Sequence, residues 1–173
     1  MMLYLIRHPR PLIAPGVCYG QLDVDIDDPA TLAATLRSQL PVGVPVISSP
    51  LQRCLKLARA MDPGCRTDPR LMEIAFGDWE GWAWDEIPRA EIDAWAADLM
   101  GYCPPGGESA EQMAGRIRAC LSSLRHPHIA LVTHAGVIRQ IVAIDQRVPL
   151  RDVLDFPVEY GEIILLNYEN GMT

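Results

Sequence analysis

Met2-Leu3-Tyr4-Leu5-Ile6-Arg7-His8 opens the chain as an apolar run that ends in a cation and an imidazole. Apolarity without polar alternation predicts a strand buried on both faces, as strands of a parallel sheet are. Val44-Pro45-Val46-Ile47-Ser48 and Ile129-Ala130-Leu131-Val132-Thr133 repeat the pattern, and Ile163-Ile164-Leu165-Leu166 supplies a late fourth. Pro45 weakens the start of the second strand, because it offers no N–H to a ladder. Helical spacing fills the gaps between strands. Asp28-Pro29 precedes Leu32, Ala33, Leu36 and Leu40; Ser49-Pro50 with Gln52 precedes Cys54, Leu55, Ala58 and Met61; Ser109 with Gln112 precedes Met113, Ile117 and Leu121; Gly136–Ile144 leaves a strand directly. Alternating strands and helices predict a three-layer α/β/α sandwich with a mostly parallel sheet.

The 173 residues, 49% apolar and 21% charged, predict one domain over residues 1–173. Residues 76–107 interrupt the alternation with Trp, Pro and Gly, and read as a lid-like excursion with one helix near Glu86–Leu99. The apolar start is too short for a signal h-region and no run approaches membrane-spanning length, which predicts a cytoplasmic protein without a membrane partner. Cys18, Cys54, Cys65, Cys103 and Cys120 have neither disulfide nor zinc spacing. A net charge of −7, with no basic run, argues against a nucleic-acid partner. It leaves room for a small phosphorylated metabolite, which needs only a few close cations. Lys56 is the only lysine among 15 basic residues, an excess of arginine that base composition explains sufficiently.

In open α/β sheets, ligands sit beyond the carboxyl ends of the strands. Three predicted strands end there in phosphate chemistry: Arg7-His8, then Ser48-Ser49-Pro50-Leu51-Gln52-Arg53, then His134-Ala135-Gly136. Two of these ends also begin helices, whose N-termini favour anions. Arginine forks neutralise a phosphate ester, and a neutral imidazole attacks phosphorus. His8 is the candidate nucleophile, with Arg7, Arg53 and His134 as phosphate ligands. An acceptor must orient the other ring nitrogen of His8. The leaving alkoxide needs a proton; Glu73 is the candidate, and Asp78 and Glu80 compete with it on composition alone.

Leu5-Ile6-Arg7-His8, Ser48–Arg53, the Glu73–Gly81 segment, Pro105-Gly106-Gly107-Glu108-Ser109 and Thr133–Arg139 follow the order found in the histidine phosphatase superfamily, the phosphoglycerate-mutase-like proteins. The resemblance is greatest to the small phosphatase branch that includes α-ribazole phosphatases, partly through Cys18-Tyr19-Gly20-Gln21-Leu22-Asp23. It implies a phosphohistidine on His8, phosphate ligands Arg7 and Arg53, a second histidine in His134, and Glu73 rather than Glu80 as proton donor. It further implies substrate contacts from Gly20, Gln21 and Ala135, no metal or other cofactor, and α-ribazole 5′-phosphate as substrate.

Two features depart from that pattern. Pro9 stands where the superfamily usually has glycine, removing an N–H beside the nucleophile. Pro11 and Ala14 replace the usual polar residues, and Arg10 is the nearest candidate to compensate. These departures make a non-catalytic phosphate-binding module one rival expectation, and a phosphoglycerate-type mutase, which shares the same chemistry, is the other. His126-Pro127-His128 precedes the third strand and is expected in a solvated loop at the opposite sheet edge. The four tryptophans, Trp79, Trp82, Trp84 and Trp95, are expected to pack the excursion rather than to hold substrate.

Overall fold

The computed structural model describes residues 1–169. Strand β1 (Met2–Arg7) is followed by α1 (Ala30–Gln39), β2 (Val46–Ser48), α2 (Gln52–Met61) and the two-residue β3 (Arg66–Thr67). Then come α3 (Arg89–Ala97), α4 (Ala110–Ser123), β4 (His128–Thr133), α5 (Ala135–Gln146) and β5 (Ile163–Asn167). The sheet order is β3-β2-β4-β1-β5, with β5 alone antiparallel to its neighbour. This is the expected α/β sandwich.

Alternation of side chains along β1 builds both core layers. Leu3 and Leu5 point to the layer of α4 and α5, meeting Met113, Ile117, Leu121, Ile138 and Ile141. Tyr4 and Ile6 point to the layer of α1 and α2, meeting Ala33, Leu36, Cys54, Leu57 and Ala58. The register of β1 with β4 runs from Met2 opposite His128 to Arg7 opposite Thr133. The ladder therefore delivers His8 and His134, each one residue past a strand end, side by side.

Several boundaries differ from expectation. β2 begins at Val46, after Pro45, which cannot donate to the ladder. β3 was too short to register as a pattern. α1 starts at Ala30 without a side-chain helix cap, although Asp28 accepts from the Ala30 N–H at 3.0 Å. α2 likewise lacks the capping box expected of Ser49 and Gln52: Gln52 N–H donates instead to Asp23 at 2.7 Å, and Ser49 turns toward His134. Ser109 and Gln112 do form a reciprocal capping box on α4, worth about 1 kcal/mol. α3 is shorter than the predicted Glu86–Leu99.

The 76–107 excursion carries its own cluster of Cys18, Trp79 and Ile87, joined by Phe76, Trp84, Trp95 and Tyr102. Trp79 Nε1 donates to Glu91 at 2.6 Å, so its polar edge is satisfied inside the cluster. Trp79, Trp84 and Trp95 thus pack the lid as expected, whereas Trp82 is exposed. Gly77, at φ +57°, lies so close to the Pro105 carbonyl that a side chain there would collide with backbone.

Candidate active site

His8 is 2% exposed, and its ring meets that of His134 edge-on at a centroid distance of 5.1 Å. Its Nδ1 lies 2.7 Å from the Pro9 carbonyl oxygen. A carbonyl can only accept, so Nδ1 carries the proton and Nε2 presents a bare lone pair. Burial, with Arg53 and Arg7 nearby, pushes the His8 pKa down to about 3, keeping the ring neutral. His134, fully buried beside the same arginines and His8, is also held well below the ordinary histidine value. Its Nε2 is 2.9 Å from Ser49 Oγ, which also accepts from the Leu51 N–H at 3.4 Å. Cys54 Sγ lies 3.5 Å from the same ring nitrogen.

The two guanidiniums are fixed by backbone carbonyls rather than by carboxylates. Arg7 Nη1 donates to Val158 O at 2.6 Å, and its planar face covers the Tyr160 ring at 3.6 Å. Arg53, 0% exposed, donates from Nη1 to Leu22 O at 2.9 Å and from Nη2 to Gly20 O at 2.5 Å. The buried Nε atoms of both have no partner, and among the described residues neither arginine has a salt bridge. A buried cation without a counter-ion costs several kcal/mol, which an anion entering the site offsets.

Glu73 reaches the start of α5: its Oε2 accepts from Gly136 N–H at 3.1 Å, and its Oε1 from Ile74 N–H at 3.0 Å. Arg116 holds the segment that carries it, donating to the carbonyls of Arg70 and Met72 at 2.7 Å and of Glu73 at 3.0 Å. Glu108 completes the clamp by pairing with Arg116 at 2.5 Å and accepting from Ala75 N–H at 3.1 Å. Glu80, the compositional rival, spends Oε1 on the Gln21 and Phe76 N–H groups. It ties loops together. Asp78 faces Gly106 in the excursion.

Gly20 supplies the carbonyl that orients Arg53, and Gln21 Nε2 donates to Glu73 O at 3.0 Å, so both brace the site. The Ala135 N–H has no partner among the described residues at the first turn of α5. At the start of α2 the Gln52 N–H is donated to Asp23, as the Gly136 N–H of α5 is to Glu73. Gathered at one sheet edge are therefore His8, His134, Arg7 and Arg53, with Glu73 at the α5 start. Residues 3–173 match the histidine phosphatase superfamily (branch 1).

The chain belongs to the histidine phosphatase superfamily. It is similar to a putative phosphoserine phosphatase 2 of Hydrogenobacter thermophilus, 28% identical over 96% of this chain and 89% of that protein. It is 26% identical to the adenosylcobalamin/alpha-ribazole phosphatase of Salmonella typhimurium, over 93% of this chain and 87% of that one. The crystal structure of phosphoglycerate mutase from Thermus thermophilus superposes with a TM-score of 0.78 at 29% identity, covering 96% of this chain and 93% of that chain. Named phosphatases among the relatives, with the superfamily match, make this chain a phosphatase.

Two tyrosines with no role assigned from sequence join the site, Tyr19 within a stretch quoted for the resemblance and Tyr160 outside any motif. Tyr19 and Tyr160 place their hydroxyls 3.4 Å apart beside Arg53 and Arg7, and burial raises the Tyr19 pKa to about 12. Tyr160 precedes β5 in an unremarkable turn, and only the pairing of β5 with β1 brings it to His8, at 5.7 Å between ring centroids. Arg10 is exposed, with its guanidinium 5.2 Å from the Tyr160 ring. His126 and His128 do lie at the opposite edge, but His128 begins β4 rather than a loop, its Nδ1 3.3 Å from the Tyr4 hydroxyl. No helix among the described residues is long and apolar enough to cross a membrane.

Proposed function

We propose that this phosphatase is a metal-independent cytoplasmic phosphomonoesterase that hydrolyses a small phosphorylated metabolite through a phosphohistidine on His8. The observation carrying the proposal is the unprotonated Nε2 of a neutral imidazole beside two guanidiniums without a salt bridge, that of Arg53 buried and that of Arg7 half-buried. Arg7 and Arg53 neutralise the phosphoryl oxygens, the role a metal would otherwise fill. His134 and the Ala135 N–H add donors to the same group.

In the first step His8 Nε2 bonds to phosphorus as the bond to the ester oxygen breaks, and the Glu73 carboxyl gives its proton to the departing alkoxide. The resulting imidazolium is stabilised by its Nδ1–H bond to Pro9 O. In the second step water attacks phosphorus, Glu73 takes a proton from it, and the P–N bond breaks to return neutral His8. α-Ribazole 5′-phosphate, which would place the enzyme in cobalamin biosynthesis, is the first natural substrate to assay.

Hydrolysis of an aryl phosphate in the presence of chelator tests the reading. Turnover by the wild type, abolished in His8→Ala, is expected. Equal near-background rates for both would leave only a phosphate-binding module, and loss of wild-type activity on chelation would overturn the metal-free mechanism.

A further inference from the structure

Beside Glu73 the surface encloses a cavity of about 260 Å³. Ala135 and Gly136 line it, so it opens from the same turn that holds His134. Phe76, Trp95, Leu99, Met113, Leu150 and Leu154 provide an apolar wall. Its charged residues are Glu73 and Arg139. Arg139 is tied through Nε to Phe156 O at 3.1 Å.

A proton donor must touch the oxygen that leaves, so the alcohol attached to that oxygen extends from Glu73. Of the hollows described here, this cavity is the one that Glu73 lines. A charged amino-acid body there would lose water against aromatic and aliphatic walls that return few hydrogen bonds. An apolar body loses nothing and covers exposed hydrocarbon, including Leu154, which is 44% exposed. An apolar cavity of about 150 Å³ already accepts a benzene ring. Trp95 is held in place by stacking on Trp84 at 5.9 Å and 14°, so that wall is preorganised. Trp95, Leu99 and Leu154 also border a neighbouring hollow of about 590 Å³, which gives a larger group room to continue.

We propose that the cavity bounded by Glu73, Trp95 and Leu154 is the leaving-group subsite, and that it selects phosphomonoesters of alcohols with an apolar, ring-sized body. The inference rests on Glu73 being the proton donor of the phosphatase reaction described above. Benzyl phosphate and ethyl phosphate release alcohols of similar acidity, so their ratio of kcat/KM isolates the contribution of the subsite. The wild type should favour benzyl phosphate on the order of tenfold or more. Leu154→Glu should remove most of that preference and Trp95→Ala should reduce it, each read as the ratio of the two esters within one variant. Equal wild-type rates, a preference that survives both substitutions, or a higher kcat/KM for phosphoserine than for benzyl phosphate would each overturn the subsite. Failure of the catalytic reading looks different: 4-nitrophenyl phosphate would then be hydrolysed no faster by the wild type than by His8→Ala.

Discussion

The Nδ1–H of His8 donates to the carbonyl of Pro9, the next residue, across 2.7 Å. Pro9 lacks the N–H expected of a glycine at that position, yet its carbonyl supplies the acceptor that fixes the tautomer of the nucleophile. The position lacks a backbone N–H without losing control of the imidazole.

If Glu73 protonates the leaving oxygen, its importance must grow as the leaving group becomes more basic. Glu73→Gln should lower kcat/KM for an alkyl phosphate by roughly 10²–10⁴-fold and for 4-nitrophenyl phosphate by less than about tenfold. Arg116 acts as a positioning residue through its three carbonyl contacts around Glu73. Arg116→Met should show the same leaving-group dependence in weaker form, with Arg116→Lys partly restoring it. A uniform loss across both esters would reduce Arg116 to a structural role.

The uncompensated charge of Arg53 makes phosphate a stabilising ligand. At a concentration about 100 times its dissociation constant, inorganic phosphate should raise the melting temperature by about 5–10 °C. Arg53→Met keeps most of the buried volume and should abolish the shift. A full shift in the variant would place phosphate elsewhere.

Both site histidines have pKa values below the ordinary 6.5, His8 at about 3. Between those values the unfolded chain binds more protons than the folded one, so stability rises with pH. It is complete above about 6.5 and is lost as pH falls toward the folded value. Urea midpoints should therefore drop between neutral pH and about pH 4.5, and the drop should be smaller in His8→Asn. A slope unchanged by that substitution would assign the acid sensitivity to other groups.

Gly20 has φ +21°, and a β-carbon there would lie 2.6 Å from the Ile74 carbonyl and collide with Glu80. Gly20→Ala should cost about 1–3 kcal/mol, read from chemical denaturation. Because Gly20 O also receives the Arg53 Nη2 bond, phosphate affinity should fall with stability.

The sandwich was legible because unbroken apolar strands and helical spacing report burial directly, as Leu3 through Ile6 show. Arg7, His8, Arg53 and His134 were legible because parallel strands deliver their ends to one edge. What escaped depends on loops and on packing that sequence spacing does not encode. Tyr160 reaches His8 only through the antiparallel return of β5, and Arg116 reaches the Glu73 segment from the middle of α4. Ser49 resembled a helix cap, but a neighbour far along the chain, His134, claimed its hydroxyl. Asp23 reaches the Gln52 N–H at the start of α2 from a loop that sequence spacing does not place there.

The central claim is that His8 takes the phosphoryl group. Rapid quenching of the enzyme during turnover of an aryl phosphate, followed by peptide mass spectrometry under alkaline conditions that preserve phosphohistidine, measures this directly. The phosphoryl group should reside on His8 in the wild type, accumulate in Glu73→Gln as its breakdown slows, and be missing from His8→Ala. A phosphoryl group on Ser49 or His134, or turnover with no phosphoenzyme in either the wild type or Glu73→Gln, would contradict the account.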